Sequence, residues 1–570
     1  MEALKRAELV HETQFFPELE YTFNHAIFQE VAYQSLLAPR RRQLHRLIGE
    51  ALEEMASPAV SEHCNELAYH FSRADVAGKA VKYLIDAGDR AAAAFSNREA
   101  LALYRRALDL RQGEERTTEA ELLHKLGTVS LLVGDAAASL RYVEGALEVY
   151  EALGDKRNVL RMHLDISRLS TDGYGDAAQE DRARRHLEAV AASVETDPDS
   201  LEKGLIYQRA AHLYLHRGQP SASLDWVHRA VDLFARLNIP MGTSLGTILS
   251  YTGRVDEGVA YNERNWDAVV AAANPLVIAG LGHELAVTLA LARDVPRARA
   301  WGEKALPLAM KASPVFEGML RRPLALIYAL SGEVAKGEEA CEAVVRIERE
   351  TQLGCIFEDA ASVGVFYTRR GQWKRARSHL ETTLAKNRGR NVAAYGACLV
   401  ALGELEGKEG DLKSAHAMLN EALEISRSGG NVLLEIWGLT GLAEAALGME
   451  RLDIVDACVG RALALQDADR AGNGLPGALG IVRGQLASAR RDWAEARGHF
   501  EQAIAVTRAF ELRYDEARAQ QGLGMMRLRD GSADGHAQAV DALRRARGLF
   551  QQVGADRDLE AVGGALARLG

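Results

Sequence analysis

The chain has 570 residues, of which 48% are hydrophobic and 6% aromatic, with only 12 prolines. This composition favours helix over sheet. Single hydrophobic cores stop growing near ~250–300 residues, so this length favours several domains or a repeat array. The formal net charge of -10 excludes the basic footprint of a typical nucleic-acid binder, and we expect no nucleic-acid partner.

The five cysteines are scattered singly and form no Cys-x-x-Cys pair. This distribution predicts a reducing compartment and argues against a disulfide framework or a zinc cluster. The sequence lacks a run of about 18 apolar residues, the minimum for a membrane helix, and Met1–Val10 carries four charged residues. We therefore expect a cytoplasmic protein with no membrane partner and no signal peptide.

Residues 1–78 do not follow the pattern of the rest of the chain and are predicted to form a small helical junction. Glu20–His25 is predicted to be extended, and helices are predicted for Ala26–Leu37, Arg40–Met55 and Val60–Arg73.

The junction contains the string YTFNHAIFQEVAYQSLLAPRRRQLHRLIGEALE, followed by ELAYHFSRADVAGKAVKYLIDAGDRA. It resembles the segment joining the ATPase module to the repeat region in large bacterial proteins that combine a class III adenylate/guanylate cyclase, an AAA or STAND-type ATPase and C-terminal tetratricopeptide-like repeats. The matching positions are Tyr21, Phe23, His25, Glu30, Val31, Ala32, Tyr33, Leu36, Leu37, Arg41, Leu44, His45, Leu67, Ala68, His70, Ala80, Tyr83, Ala87 and Gly88. The resemblance implies that residues 1–78 end a winged-helix/ATPase-type module and that the chain is a regulatory arm.

A cationic cluster of Arg40, Arg41, Arg42 and His45 lies at the start of the second predicted helix. Guanidinium groups suit phosphate geometry, so the cluster is a candidate contact with the nucleotide state of an ATPase module. The alternative is a solvated helix start that packs on that module, because charge runs are usually solvated faces. Both interpretations make these residues candidate interdomain contacts.

Residues 79–570 contain a repeat, which is seen by aligning the breaks between helical stretches. The twelve turn positions, called anchors below, are Phe95, Gly134, Gly173, Gly218, Gly253, Arg293, Gly332, Gly371, Gly410, Glu450, Arg491 and Gly531. A small residue lies seven positions before eleven of them, and a second small residue commonly lies five positions after. Antiparallel helices approach closely only where the contacting side chains are small.

The repeat resembles the tetratricopeptide pattern, but its unit of about 40 residues exceeds the usual ~34. We therefore predict an all-α, right-handed superhelical solenoid of about twelve tetratricopeptide-like helix-turn-helix repeats. Bends are expected near residues 173–200, 313–323 and 472–480, where turn-forming residues interrupt the pattern.

Solenoid geometry places the first helix of each repeat on the concave side. The polar positions ten, six or three before an anchor are therefore candidates for a partner groove. They are Gln208, His212, Thr243, Thr247, His283, Arg322, Glu404, Thr440, Glu444 and Gln485.

No catalytic, cofactor-binding or metal site is predicted. The pairs Gly78-Lys79 and Gly407-Lys408 lack the upstream glycine and the following hydroxyl of a phosphate loop. The favoured hypothesis is a non-enzymatic interaction arm that binds a protein partner, or an upstream ATPase or cyclase domain, in the concave groove. One alternative is a small-ligand effector sensor of a STAND-type regulator, and another is a fragment of a cyclase/ATPase whose catalytic domains lie upstream.

Overall fold

A computed structural model of the chain describes residues 1–14, 20–55, 60–111, 116–171, 184–185, 187–188, 190–239, 244–271, 275–351, 358–389, 391–467, 475–531 and 535–569. The chain divides into two units. Unit 1 comprises Met1–Ser130 with Glu148–Leu153, and unit 2 comprises Leu131–Leu147 with Gly154–Gly570. The predicted junction of residues 1–78 lies inside unit 1, and its boundary with the repeats stays a prediction.

Unit 1 begins with a short helix and two antiparallel strands, in which Val10 pairs with Phe23 and Glu12 pairs with Tyr21. This strand pair is the departure from the all-helical prediction within the described residues. The elements before the repeats are helix Glu2–Arg6, strands Val10–Gln14 and Glu20–Phe23, helices Ala26–Ser35 and Ala38–Met55, the 3-10 helix Val60–His63 and helix Cys64–Arg73.

The repeats are pairs of helices, numbered 1 to 12 by their anchors. Their first helices are Ala77–Ala93, Arg116–Leu132, Lys156–Thr171, Leu201–His216, Leu245–Tyr251, Pro275–Leu291, Pro314–Ser331, Ser362–Arg369, Val392–Glu409, Val432–Gly448, Leu475–Ala489 and Arg513–Asp530. Apart from repeat 3, their second helices are Asn97–Leu110, Ala136–Leu153, Pro220–Arg236, Val255–Ala271, Val295–Ala312, Val334–Thr351, Trp373–Asn387, Leu412–Gly429, Leu452–Asp467, Trp493–Ala509 and Gly535–Gln552. The 3-10 helix Glu358–Ala361 precedes the first helix of repeat 8, and Asp556–Ala567 follows repeat 12. The prediction of an all-α repeat fold is confirmed.

Every anchor in the described part of the chain has a left-handed backbone, with φ between 59° and 95°. At nine of these eleven anchors the next residue donates its N–H to a carbonyl five positions back. Asp294 N bonds Leu289 O at 2.9 Å, and Asp492 N bonds Ala487 O at 2.9 Å. This Schellman geometry ends the first helix and reverses the chain. Gly173 lies outside the described residues.

The small residue before each anchor faces the second helix of its own repeat. A Cβ placed on Gly403 would lie 2.6 Å from Leu419 Cγ, and one placed on Gly484 would lie 2.7 Å from Phe500 Cε1. Both partners stand sixteen positions further along the chain. The close approach of the two helices thus explains the small residue that the repeat pattern requires.

Repeats about five apart contact one another within unit 2. Ser313 Oγ donates to Leu132 O at 2.9 Å, and Arg299 Nη2 lies 2.5 Å from Glu511 Oε2. A Cβ on Gly429 would collide with the carbonyl of Gly218. The helix pairs therefore wind as a superhelix with about five repeats per turn, and successive turns touch.

The structure gives the local backbone at two of the expected bends, and the bends themselves stay predictions. The segment 313–323 holds a single-residue cap, Ser313, and the next helix runs on through Pro323. The described part of the expected bend at 472–480 is helical from Leu475 onward. Pro476 is tolerated because it lies in the first turn, where a backbone N–H would have no carbonyl partner within the helix. Residues 173–183 of the first expected bend lie outside the described part of the chain.

Gly484→Ala should destabilise the protein, whereas Gly498→Ala should stabilise it. Gly484 has no room for a Cβ beside Phe500, while Gly498 is exposed in the next helix with nothing within 4 Å. We expect a loss of about 1–3 kcal/mol from overpacking at position 484. At position 498 the higher helix propensity of alanine should add about 0.5–1 kcal/mol. Urea unfolding followed by circular dichroism measures both, and shifts of the same sign would contradict the packing argument.

Candidate functional site

Two adjoining cavities follow the first helices of repeats 6 to 12 inside unit 2. The larger has a volume of about 420 Å³ and the smaller about 70 Å³. Glu404, Lys408, Glu444 and Arg518 belong to both walls. The larger volume falls within the ~300–1,000 Å³ typical of small-molecule sites. The lining residues of both cavities are called the inner face below.

Four of the predicted groove residues lie in these walls. Thr440 lines the smaller cavity, Gln485 lines the larger, and Glu404 and Glu444 line both. Glu404, Glu444 and Gln485 share the position six before their anchors. That position therefore lines the cavities in repeats 9 to 11, and the binding role of these residues stays a prediction.

Two other predicted groove residues are engaged in buried pairs. His283 Nε2 lies 3.2 Å from Asp359 Oδ2, and Arg322 Nη2 lies 3.1 Å from Glu348 Oε1. Both residues stand ten positions before an anchor. This position turns toward neighbouring helices at repeats 6 and 7, so the two side chains serve the packing of the repeats in this structure.

Gln208 and His212 are half-buried and lie outside the walls of the two cavities. His212 Nε2 contacts Ser244 Oγ, and Ser244 Oγ donates to Glu284 Oε1 at 3.1 Å. Thr247 donates to the other carboxylate oxygen of Glu284 at 3.1 Å. Thr243 lies outside the described residues.

Glu284 is a partly buried carboxyl group that sequence reasoning missed. Burial raises the pKa of Glu284 to about 7, although hydrogen bonds from Ser244, Thr247 and Asn262 act to lower it. A group with this pKa exchanges its proton near neutral pH.

The inner face also holds charged residues that the sequence analysis did not select, namely Arg293, Arg369, Lys408, Asp515 and Arg518. Arg518 Nη2 lies 2.7 Å from Glu444 Oε1, and Lys408 Nζ donates to Tyr514 Oη at 2.8 Å. Arg369 Nη2 lies 3.8 Å from Asp515 Oδ1, a carboxylate that Arg518 also approaches at 4.0 Å.

The carboxylates of the inner face differ in their protonation tendency. Burial raises the pKa of Glu404, and repulsion from Glu444 raises it further. Burial alone would raise the pKa of Asp515 too, but the charges of Arg369, Arg293 and other cations hold it below its usual value. The inner face is therefore a strongly coupled set of charges inside a partly apolar cavity, which suits recognition of a charged group.

The cationic cluster of the junction lies in unit 1. Arg40 and Arg42 are exposed and Arg41 is half-buried. Arg40 Nη1 donates to Gln43 Oε1 at 2.7 Å, and Arg42 lies 3.8 Å from Asp75. His45 is instead buried, 3.1 Å from the Tyr33 hydroxyl and 3.0 Å from His70 Nδ1. Of the four predicted contact residues, Arg40 and Arg42 face solvent, Arg41 is half-buried and His45 belongs to the interior.

Large apolar side chains are exposed beside this cluster. Ile27 is 72% exposed, Val31 63% and Leu37 78%. We define the junction patch as the exposed apolar residues between positions 23 and 55, which are Phe23, Ile27, Phe28, Val31, Leu37, Leu47, Ile48 and Met55. Several large apolar side chains exposed within one short segment are typical of interaction sites in soluble proteins.

Within the described residues, no group of three or more histidine, cysteine, aspartate or glutamate residues is placed to hold a metal ion. The helices of the same residues include none that is long and apolar enough to span a bilayer.

Comparison with known proteins identifies residues 358–428 as a match to the tetratricopeptide repeat family. These residues span repeats 8 and 9, so the chain contains a tetratricopeptide repeat region, which supports a general role as a protein–protein interaction scaffold. An uncharacterised protein of Rhizobium meliloti (strain 1021) is 31% identical over 136 residues, which are 23% of this chain and 13% of that protein. The chain thus spans a small part of the length of this relative.

Two solved structures resemble the fold at low identity. The Cut9–Hcn1 heterotetramer of the APC/C gives a TM-score of 0.47 at 15% identity, covering 90% of this chain and 98% of the other. Yeast Tom70 gives a TM-score of 0.31 at 14% identity, covering 86% and 96%.

Glu284→Gln should stabilise the protein at pH 8 but not at pH 5. Because the folded pKa of about 7 exceeds the unfolded value, the contribution of Glu284 is fully present below the unfolded pKa and is lost as pH rises through the folded one. From pH 5 to pH 8, the free energy of unfolding of the variant should rise by roughly 2 kcal/mol relative to that of the wild type. Urea unfolding at both pH values measures this, with exposed Glu424→Gln as the control. An equal change in both variants would contradict the assignment.

Proposed function

We propose that the chain is a non-enzymatic protein–protein interaction and regulatory arm of a bacterial signalling protein linked to ATPase and cyclase modules. The tetratricopeptide repeat match at residues 358–428 supports an interaction scaffold. The resemblance of residues 21–91 to an ATPase-to-repeat junction supports the signalling context. In this proposal the arm acts in the cytoplasm and leaves catalysis to its partner domain.

The observation that carries the proposal is the junction patch. Ile27, Val31 and Leu37 expose most of their surface, although leaving an apolar side chain in water forgoes roughly 1.5–3 kcal/mol of burial energy. A second protein surface that covers these residues would recover that energy. The patch occurs in the segment that resembles the end of an ATPase-type module, and such a module is the occupant that we propose.

The charges around the patch specify the character of that surface. Arg40 and Arg42 are exposed in the same segment of the chain, and the guanidinium of the half-buried Arg41 lies 5.3 Å from the centre of the Tyr33 ring. An apolar centre with a charged rim is the usual anatomy of a protein interface. The partner face should therefore be apolar in the middle and acidic at its border.

A second candidate function is a small-ligand effector sensor of a STAND-type regulator. The cavity of about 420 Å³ inside unit 2 favours it, since this volume falls within the range of small-molecule sites. The two functions are compatible, because a ligand in unit 2 and a partner on the junction patch use different residues. The third candidate, a fragment whose catalytic domains lie upstream, adds a covalently linked partner to the first.

The double variant Val31→Asp/Leu37→Asp should lose binding to a separately expressed ATPase-type module from the source genome. Each substitution places a charge where the proposed interface needs apolar contact, and we expect affinity to fall at least about tenfold. Val270→Asp changes an exposed apolar residue of unit 2 and should leave affinity unchanged. Biolayer interferometry measures all three proteins. Full binding by the double variant would overturn the proposed surface, and nucleotide turnover by the chain alone would overturn the non-enzymatic role.

A further inference from the structure

The inner face of unit 2 contains more cations than carboxylates. The walls of the two cavities hold Arg293, Arg369, Lys408, Arg518 and Arg529 against Glu404, Glu444 and Asp515. Burial and the neighbouring Glu444 also raise the pKa of Glu404, which favours its neutral form and so reduces the negative charge in the cavities. The cavities therefore carry surplus positive charge.

The carboxylates are already engaged with specific partners. Glu444 is 2.7 Å from Arg518 Nη2, and Glu404 Oε1 accepts a hydrogen bond of 2.8 Å from Trp437 Nε1. Asp515 is shared by Arg369 at 3.8 Å and Arg518 at 4.0 Å, distances too long for strong direct hydrogen bonds. The existing carboxylates thus leave part of the guanidinium donor capacity unused.

The unused donors are located on Arg293 and Arg369. The Nη1 atom of each is buried, and no described residue accepts a hydrogen bond from either. Both side chains line the smaller cavity, and burial, together with like-charge repulsion from Arg369, lowers the pKa of Arg293. Buried donors of this kind cost free energy unless an acceptor meets them.

We infer that Arg293 and Arg369 form a binding site for a small organic anion that carries a carboxylate or a phosphate group. The planar donor arrays of guanidinium groups fit both oxyanions in bidentate geometry. The apolar part of the ligand would contact the wall formed by Leu326, Val365, Ile436 and Trp437. The adjoining larger cavity has room for the remainder of the molecule. This inference is independent of the junction patch. It rests on the second candidate function, the small-ligand sensor, and deepens it by naming the class of ligand.

The site joins distant parts of the chain. Arg293 closes the first helix of repeat 6, Arg369 ends that of repeat 8, and Asp515 and Arg518 belong to repeat 12. An anion between the two arginines would remove the repulsion that opposes this arrangement. Binding should therefore stabilise the superhelical turn that spans these repeats.

The test uses the full chain with inorganic phosphate and with succinate as probes, at constant ionic strength adjusted with chloride. Thermal unfolding should shift to higher temperature with at least one probe, and calorimetry should show saturable binding. Arg293→Gln and Arg369→Gln should each weaken that binding at least about tenfold. Arg545→Gln, an exposed control whose arginine pairs with Asp541, should bind as the wild type does.

The response to the two probes assigns the ligand class. Binding of phosphate alone supports a phosphate ester, binding of succinate alone supports a carboxylate, and binding of both supports the shared oxyanion site. Without any probe, Arg293→Gln should unfold at the same or a higher temperature than the wild type, because it removes a buried donor that no described residue satisfies and relieves the repulsion with Arg369. The inference is overturned if neither probe acts beyond chloride, if Arg293→Gln binds undiminished, or if it destabilises the protein without a probe.

Discussion

The close approach of two helices at one small residue is the contact on which each repeat depends. At Gly403 and Gly484 the facing side chains, Leu419 and Phe500, occupy the space that a Cβ would need. The left-handed anchor seven positions later reverses the chain and so brings the two helices together. Because this unit recurs with a nearly constant length, each repeat of unit 2 packs on the next in a similar orientation. The array therefore winds regularly enough for successive turns to touch.

Most of the fold followed from the sequence because its determinants are local. The anchors Phe95, Arg293, Glu450 and Arg491 were found by register although they are not glycines, and all four have positive φ. The strand pair of unit 1 was missed because its first strand, Val10–Gln14, was not recognised. Contacts such as that of Arg299 with Glu511 could not be predicted, since local periodicity does not reveal which distant repeats will touch.

The candidate site was predicted in part, for a related reason. Selecting positions ten, six and three before the anchors found Glu404, Thr440 and Glu444, which line the cavities. The position thirteen before the anchor lies one helical turn further along the same face, and including it would have added Arg518. Including the position two before the anchor, next to the one used, would have added Arg369 and Lys408. His283 and Arg322 lie in the same stripe but pair with Asp359 and Glu348, partners whose proximity arises only in the folded superhelix.

Contact between successive turns limits how the repeat array of unit 2 could change in length. In an open solenoid each repeat meets only its neighbours, so a whole repeat can be gained or lost at one place with little effect elsewhere. Here the removal of one repeat between Gly218 and Gly429, whose backbones abut, would bring the wrong turns together along the rest of the coil. The number of repeats per turn is therefore a fixed property of this architecture, and evolution by repeat duplication would have to proceed in steps that preserve it.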